Sequence, residues 1–140
     1  MKLAICMAFG AAGSFLLELF GGWDASLLTL ILLMGTDYLS GLILAAVFRK
    51  SRKSPNGALE SRAGFIGLCK KCMMLFFVLV AARLDLLLGS SYLRSAVILA
   101  FCANETLSLI ENAGLMGLPI PKVIRKAVDL LLRSDDGSEE

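Results

Sequence analysis

The sequence predicts an all-α membrane protein with about four transmembrane helices. Hydrophobic residues make up 57% of the 140 residues and charged residues only 19%, which is less charge than a soluble domain usually carries. Four apolar blocks are each long enough to cross about 30 Å of hydrocarbon, and short polar or glycine-containing segments separate them. We therefore assign residues 1–112 to a transmembrane helical domain and residues 113–140 to a cytoplasmic helix and tail.

The first two blocks are predicted to form a helical hairpin. The first, residues 3–20, holds a run of small residues from Ala8 to Ser14, and such residues let helices pack closely in lipid. Gly21-Gly22-Trp23-Asp24 predicts a tight turn before the second block, residues 25–48. If the first block lies only at the membrane interface, three spans remain.

The last two blocks follow a polar connection. Ser54-Pro55-Asn56-Gly57 combines residues that favour turns, so we expect the chain to reverse outside the membrane there. The third block covers residues 65–88 and ends before Gly89. The fourth covers residues 93–110, and Gly114 is the residue expected to stop its helix.

Basic residues predict the orientation of the chain. They are concentrated in the second connection and at the start of the third block, whereas the first connection has none. Because cytoplasmic loops of membrane proteins are enriched in lysine and arginine, this segment and both termini are predicted to be cytoplasmic. The residues of this predicted cytoplasmic basic loop are Arg49, Lys50, Arg52, Lys53, Arg62, Lys70 and Lys71.

The C-terminal region predicts one further helix. Residues 122–133 place apolar side chains on one side and mostly charged side chains on the other, which is typical of a short amphipathic helix at a membrane surface. A helix docked on the same protein fits the pattern equally well. The acidic residues after it predict a disordered tail.

Ionisable residues inside the blocks need a partner or a function, because each costs about 2.5 to 3.5 kcal/mol even on a lenient insertion scale. Glu18, Asp85 and Arg94 lie within a few residues of an outer turn, where local thinning of the bilayer or snorkelling relieves the cost. Asp85 and Arg94 are almost equally far from the third turn. We therefore expect an ion pair between them across that hairpin.

Two carboxylates lie much deeper. Counting 1.5 Å per residue places Asp37 and Glu105 about 18 and 22 Å from the outer ends of their helices. Arg83, about 10 Å deep by the same count, is the cation expected to reach Asp37. We expect the deep polar residues to support assembly of several copies or to line a lumen. This predicted set is Asp37, Ser40, Gly41, Arg83, Asn104, Glu105, Ser108, Glu111 and Asn112, of which the last five recur on one face of the fourth helix.

Several classes of function are disfavoured. The chain has no histidine, which removes the usual general base and the commonest metal ligand. Cys69-Lys70-Lys71-Cys72 is a lone C-x-x-C without a second pair at zinc spacing. We expect no enzyme, no cofactor and no metal site, and the net charge of +2 is too small to indicate nucleic-acid binding.

Ordered motifs between Asp37 and Arg125 resemble a known family. They are Asp37-Tyr38-Leu39-Ser40-Gly41 in the second block, Ser61, Gly64, Gly67-Leu68 and Lys70-Lys71 entering the third, Asn104-Glu105-Thr106-Leu107-Ser108-Leu109-Ile110-Glu111-Asn112 in the fourth, and Gly117-Leu118-Pro119-Ile120-Pro121 after it. This set is similar to phage lysis and toxin-secretion holins of the Clostridium toxin-associated type, phage holin family 4. The chain departs from the family by carrying Ser40 where a threonine is usual, which keeps the hydroxyl.

The resemblance implies a small phage or prophage protein of the bacterial cytoplasmic membrane. Such proteins accumulate among the membrane lipids, oligomerise at a set time, dissipate the membrane potential and release an endolysin or, in some relatives, a toxin. The resemblance thus implies that the chain's partners are its own copies and an endolysin or exported toxin, and it leaves room for an inhibitory antiholin. It does not by itself give Asp37 or Glu105 a place in the wall of a lesion.

Two other functions fit the outline of the chain. Four short helices with an embedded carboxylate are also the outline of small proton-coupled cation exporters, but these carry their acid deep in the first span, whereas Glu18 lies near the end of its block. A passive membrane adaptor that holds another protein through the basic loop is the second alternative. Leakage of a folded protein separates a holin from both.

Overall fold

Four long helices make up the fold of the part of the chain that the structure describes. A computed structural model of the chain describes residues 1–53, 57, 60–124 and 126. The helices are α1 (Lys2–Leu19), α2 (Ala25–Ile43), α3 (Ser61–Leu88) and α4 (Tyr92–Leu115), and α2 continues into a π-helical turn over Leu44–Phe48. All four, α2 with its π-helical turn, are long and apolar enough to cross a membrane. The prediction of an all-α chain with four such helices is confirmed.

The helices extend beyond the apolar blocks at the predicted cytoplasmic side. Helix α3 begins at Ser61 rather than at residue 65, and α4 ends at Leu115 rather than near residue 110. Gly114 was the wrong stop for α4. Gly117, with φ of 85°, follows the helix instead, and the Leu118 amide donates to the Ala113 carbonyl at 3.1 Å. Hydropathy marks where a helix contacts hydrocarbon, whereas backbone hydrogen bonding continues into the polar boundary.

The core belongs to α2, α3 and α4. Its buried cluster consists of Leu27, Leu30 and Met34 from α2, Val78 from α3 and Ile98 from α4. These side chains interlock in the half of the bundle nearer to the two short turns, that is, the predicted outer half. The bundle therefore has a solid apolar centre at this level.

Helix α1 lies outside this core. None of its residues is buried, and a Cβ atom built on Gly10 or Gly13 finds no described neighbour within 4 Å. The predicted close packing of the small residues between Ala8 and Ser14 is therefore wrong within a single chain. The reason is that α1 packs mainly beside α3, so its small-residue face has no closely packed partner helix within the described residues.

Arg94 joins the turn after α1 to the α3–α4 hairpin. Its guanidinium donates to the Phe20 carbonyl through Nε at 2.6 Å, to the Gly22 carbonyl at 3.2 Å and to the Asp24 carboxylate at 2.6 Å. Asp24 also caps α2, because its carboxylate accepts from the Leu27 amide at 2.9 Å. We call this set of contacts the Arg94 clamp.

The expected ion pair between Asp85 and Arg94 is wrong. The Asp85 carboxylate accepts from the backbone amides of Leu93 and Arg94, at 3.1 and 2.8 Å, and is hydrogen-bonded to the Ser90 hydroxyl. The first backbone amides of a helix have no hydrogen-bond acceptor inside the helix. The Asp85 carboxylate of α3 supplies that acceptor for the first amides of α4. The Arg94 side chain therefore pairs with Asp24 instead of Asp85.

The Arg94 clamp makes stability depend on pH. The hydrogen bond from Arg94 lowers the pKa of the Asp24 carboxyl below its ordinary value, and partial burial opposes this shift. A carboxyl whose pKa is lowered in the folded state stabilises the fold above its ordinary pKa. That contribution is lost as the pH falls through the lowered pKa.

Three predicted features lie partly or wholly outside the described residues. The turn Ser54-Pro55-Asn56-Gly57 is described only at Gly57. The amphipathic helix over residues 122–133 is described at 122–124 and 126, which are helical, and the acidic tail is not described. The division at residue 112 and the cytoplasmic position of both termini stay predictions.

We predict that Arg94→Ala lowers the free energy of unfolding by about 1.5 to 3 kcal/mol, because hydrogen bonds that involve a charged group are lost. Asp24→Asn is the matched control. It keeps the helix cap and the two bonds to carbonyls, so its loss is expected to be smaller. Unfolding by sodium dodecyl sulfate from mixed micelles, followed by circular dichroism, measures both, and equal stability of Arg94→Ala and the wild type contradicts the clamp.

Candidate functional site

Three charged side chains from three helices meet inside the bundle. Lys71 of α3 donates through Nζ to the Asp37 carboxylate of α2 at 2.8 Å and also to the Glu105 carboxylate of α4. The two carboxylate side chains are 4% exposed and the lysine side chain 12%. We call this set the charge triad.

The charge triad lies deep in the helices. Asp37 is about 18 Å from the start of α2, and Lys71 and Glu105 are each about 15 Å from the predicted cytoplasmic end of their helix. At this depth water does not solvate the charges, so each must be neutralised by a neighbour. One ammonium group serves two carboxylates, which leaves one formal negative charge in the triad when all three groups are ionised.

Asn112 extends the site along α4. Its side-chain amide donates to the second carboxylate oxygen of Asp37 at 3.2 Å and to the Ser40 hydroxyl at 2.9 Å. A Cβ atom on Gly41 would stand 3.8 Å from the same nitrogen. Ser40 in turn donates to the Asp37 carbonyl at 2.9 Å. Asn112 thus holds the carboxylate on the side away from Lys71.

Tyr38 fixes α2 against α3 beside the charge triad. Its hydroxyl donates to the Gly64 carbonyl at 3.5 Å, and Cβ atoms on Gly64 and Gly67 would lie 3.5 and 3.8 Å from the tyrosine side chain. These are ordinary van der Waals distances, so the tyrosine side chain packs directly over the two glycines. Residues of the three separate motifs therefore meet in one place. Asp37 contacts both α3 and α4, Tyr38 contacts α3, and Ser40 contacts α4.

A cavity of about 370 Å³ borders the charge triad. Lys53 and Lys70 line it beside the three triad residues, with Asn104 and Ser108 on α4. These two exposed lysines make no ion pair with the triad, which keeps its own unbalanced charge. The site therefore consists of charged side chains that pair with one another, with a cavity lined by polar side chains beside the buried carboxylates.

The structure separates the predicted polar residues into two groups. Asp37, Ser40, Gly41, Glu105 and Asn112 come together, and Ser108 lies beside them in the cavity wall. Asn104 and Glu111 are exposed, and Asn104 lines the same cavity as Ser108. The predicted single stripe on α4 is therefore divided between the core and the surface.

Arg83 does not reach Asp37, so that expected pair is wrong. Arg83 is exposed on α3 and lines a different cavity of about 870 Å³ near the opposite end of the bundle, together with Glu18. It follows Lys71 by three turns of the same helix. The Asp37 carboxylate is therefore paired with Lys71, the lysine that lies at the same depth.

Lys71 is the residue that sequence reasoning misplaced. It was grouped with the basic loop, whereas Arg49, Lys50, Arg52, Lys53, Arg62 and Lys70 are exposed and Lys71 is inside the bundle. The sequence did indicate a buried cation at this depth, because the two deep carboxylates need a positively charged partner and no other cation had been placed at their depth. Lys71 is the basic residue of the predicted loop that lies deepest along its helix.

Comparison with known proteins agrees with this arrangement. The chain matches the bacteriophage holin family over residues 14–133, and it therefore belongs to that family. This range includes the charge triad and all of α2, α3 and α4. The chain is accordingly a multi-pass protein of the bacterial cytoplasmic membrane.

Relatives occur in bacteria and in a phage. An uncharacterised protein of Listeria innocua is 34% identical over all of this chain and 91% of its own length. An uncharacterised protein of Clostridium perfringens is 35% identical over 92% of this chain and 93% of its own length. A protein of Bacillus phage phi105 named "Probable holin" is 30% identical over 74% of this chain and 72% of its own length. No solved structure matches the chain.

We predict that Lys71→Met lowers the free energy of unfolding by about 3 to 5 kcal/mol, because it leaves two buried carboxylates without their cation. Lys70→Met, at the exposed neighbour, is the matched control and is expected to change stability little. Unfolding by sodium dodecyl sulfate from mixed micelles measures both variants.

Replacement of all three charges tests the same site in the opposite direction. The triple variant Asp37→Leu, Lys71→Met and Glu105→Met removes the charges together, so most of the lost stability is expected to return. If Lys71→Met and Lys70→Met are equally stable, the charge triad does not hold the helices together.

Proposed function

We propose that the chain is a holin whose copies assemble in the cytoplasmic membrane into lesions that dissipate the membrane potential and release a cytoplasmic endolysin. Membership of the bacteriophage holin family is the observation that carries this proposal. The similarity to the phage phi105 protein supports it. A toxin is the alternative cargo, and an antiholin is the partner that would delay assembly.

The packing of one chain supports a requirement for several copies. Leu30 and Val78 at the centre of the bundle are 0% exposed, and the cavity at the charge triad lies on the other side of this apolar layer from the cavity lined by Arg83. The part of the chain that the structure describes thus encloses no continuous passage. A folded endolysin needs an opening wider than three helices enclose, so the lesion is built between copies.

The charge triad supports a hypothesis about the trigger. Its formal charges do not balance, and a unit charge that crosses the whole membrane field changes in energy by about 2.3 kcal/mol per 100 mV. A movement of α2 or α4 that shifts the unbalanced charge along the field is therefore sensitive to the membrane potential. Loss of the potential would then favour the rearranged helices.

The proposed function is tested by controlled expression in a bacterium that carries a cytoplasmic endolysin lacking its own export signal. Membrane potential and release of the endolysin are recorded together. A delay followed by joint depolarisation and release is the expected result. Continued growth with raised resistance to cationic dyes would instead indicate an exporter, and co-purification of one stoichiometric partner without leakage would indicate an adaptor.

For the trigger, we predict that Asp37→Asn and Glu105→Gln each weaken the advance of lysis that an uncoupler causes. Each variant leaves Lys71 with a single carboxylate, so the triad is balanced and a change in potential no longer acts on a net charge. Glu18→Gln, at an exposed carboxylate on α1, is the control and should respond as the wild type does.

The time of lysis after induction, with and without an uncoupler, measures this response. If both triad variants lyse on the wild-type schedule and respond equally to the uncoupler, the two carboxylates serve structure alone. Immunoblots of membrane fractions confirm that all variants accumulate equally.

A further inference from the structure

The cavity beside the charge triad continues into an apolar groove on the surface of the bundle. The groove has a volume of about 360 Å³ and lies between α3 and Phe101 of α4. It shares Ile66, Lys70 and Met74 with the cavity, and its other walls are Phe65, Cys69, Met73 and Phe77 of α3. The cavity and the groove therefore form one depression with a polar half and an apolar half, and Lys70 lies where the two halves meet.

The polar half carries an excess of positive charge. Three lysines and two carboxylates line it, which gives its walls a formal net charge of +1. Lys71 is held by the two carboxylates, whereas Lys53 and Lys70 are exposed and make no ion pair with the triad. The Asn104 amide on the same wall adds two N–H donors. This half of the depression is thus suited to an anion that has several acceptor oxygens.

Lys70 lies at the depth of the lipid headgroups. It precedes Leu88, the last residue of α3, by 18 residues, which is about 27 Å along the helix axis. With Leu88 at one surface of a hydrocarbon layer of about 30 Å, Lys70 is about 3 Å from the other surface. Helical side chains lean toward the N-terminus of their helix, so the Lys70 ammonium group extends toward that surface.

The apolar half extends from this depth toward the middle of the membrane. Met73, Met74 and Phe77 follow the lysine at spacings of three, four and seven residues, so they lie on its side of α3. Phe77 contacts Phe101 edge to face, with ring centroids 6.3 Å apart, which joins the two walls of the groove. Met73 and Phe77 are more than half exposed. The groove thus presents flexible and aromatic side chains to an acyl chain.

We propose that this depression binds one anionic phospholipid of the leaflet next to the basic loop, with its phosphate at Lys53 and Lys70 and an acyl chain in the groove. Lysine binds phosphate as a point charge, and basic pockets between transmembrane helices bind anionic headgroups. The inference goes beyond the proposed function, because it requires only that the chain spans a membrane. It stands or falls independently of endolysin release.

An anionic phospholipid matches both halves of the depression, whereas other occupants match one. A soluble phosphate would fill the polar half and leave the groove empty of any part of itself. A helix from a second copy would cover the groove, but an apolar helix brings no anion to the two lysines. In a phospholipid the phosphate and the acyl chains are joined at the boundary of the hydrocarbon, which is the depth of Lys70.

Quenching of tryptophan fluorescence by brominated lipids measures which lipid occupies the groove. The reporter is the full-length chain with Phe77→Trp in the groove and Trp23→Phe, since Trp23 is the single natural tryptophan. Vesicles contain phosphatidylcholine and phosphatidylglycerol, and either lipid carries bromine on its acyl chains. We expect a preference for phosphatidylglycerol of about five- to thirtyfold, because each lysine near the surface contributes about fivefold.

The lysines are tested against a neighbour of equal charge. Lys70→Gln and Lys53→Gln are each expected to lower the preference about fivefold. Lys50→Gln is the matched control, because Lys50 is exposed in the same basic loop and lines neither half. Equal losses in Lys70→Gln and Lys50→Gln would mean that the whole basic surface attracts the lipid, and this result overturns the site.

The apolar half is tested with two exposed cysteines. Cys69 lines the groove and Cys72 does not. We expect Cys69→Phe to reduce quenching by brominated phosphatidylglycerol, because the added ring occupies the groove, and Cys72→Phe to leave it unchanged. Equal quenching in the two variants overturns the placement of the acyl chain.

Two further controls identify the occupant. Glycerol phosphate carries the phosphate without acyl chains, so loss of the preference on its addition would indicate a soluble anion and not a lipid. The natural Trp23, in a chain that keeps Phe77, lies at the opposite end of the bundle and should show no preference. Equal preference at both positions contradicts the proposal.

The same comparison is made without a tryptophan reporter. Electron paramagnetic resonance of spin-labelled phosphatidylglycerol measures the immobilised lipid around the natural chain, Lys70→Gln and Lys50→Gln. A smaller immobilised fraction in Lys70→Gln alone is the expected result, and equal fractions in all three chains overturn the proposal. Circular dichroism in the same vesicles shows that the helices of each variant are intact.

Discussion

A single ammonium group fixes the relative positions of three helices. Lys71 satisfies Asp37 on one neighbour and Glu105 on the other, and Asn112 holds the far side of Asp37. A shift of any of the three helices by one turn along its axis would leave at least one carboxylate without a cation, and an unpaired charge at this depth is costly. The vertical register of α2, α3 and α4 therefore follows from one residue, and the apolar contacts of the core adjust to that register.

The two ends of the bundle are held by different means. At the end with short turns, the Arg94 clamp binds backbone carbonyls and Asp24, and Asp85 satisfies the start of α4. Away from that end, the charge triad lies deep within the helices and borders a cavity. Short connections limit movement at the first end. Under the proposed function, a rearrangement that separates the helices is therefore easier at the end away from the short turns, and it must break the contacts of the charge triad.

The sequence predicted the number of helices because apolar blocks of this length have few other uses, and it placed Asp37 and Glu105 correctly among the deep residues. The sequence did not predict the position of the Lys71 side chain. Hydropathy locates the edge of the apolar block, but it does not show toward which neighbouring helix a long side chain turns. The sequence also placed Asn104 and Glu105 in one stripe. Adjacent residues on a helix differ by about 100° in direction, so the edge of the core can pass between them, and only the neighbouring helices decide where it does.

Helix α1 is attached at one end and buried nowhere. Substitutions in its first half therefore remove no contact from the core, and the family match begins only at residue 14. Hydrophobicity and length are then the main requirements on this segment, because lipid accepts many apolar sequences equally well. A fluorescent protein or an affinity tag joined before Met1 would accordingly leave the three-helix bundle intact.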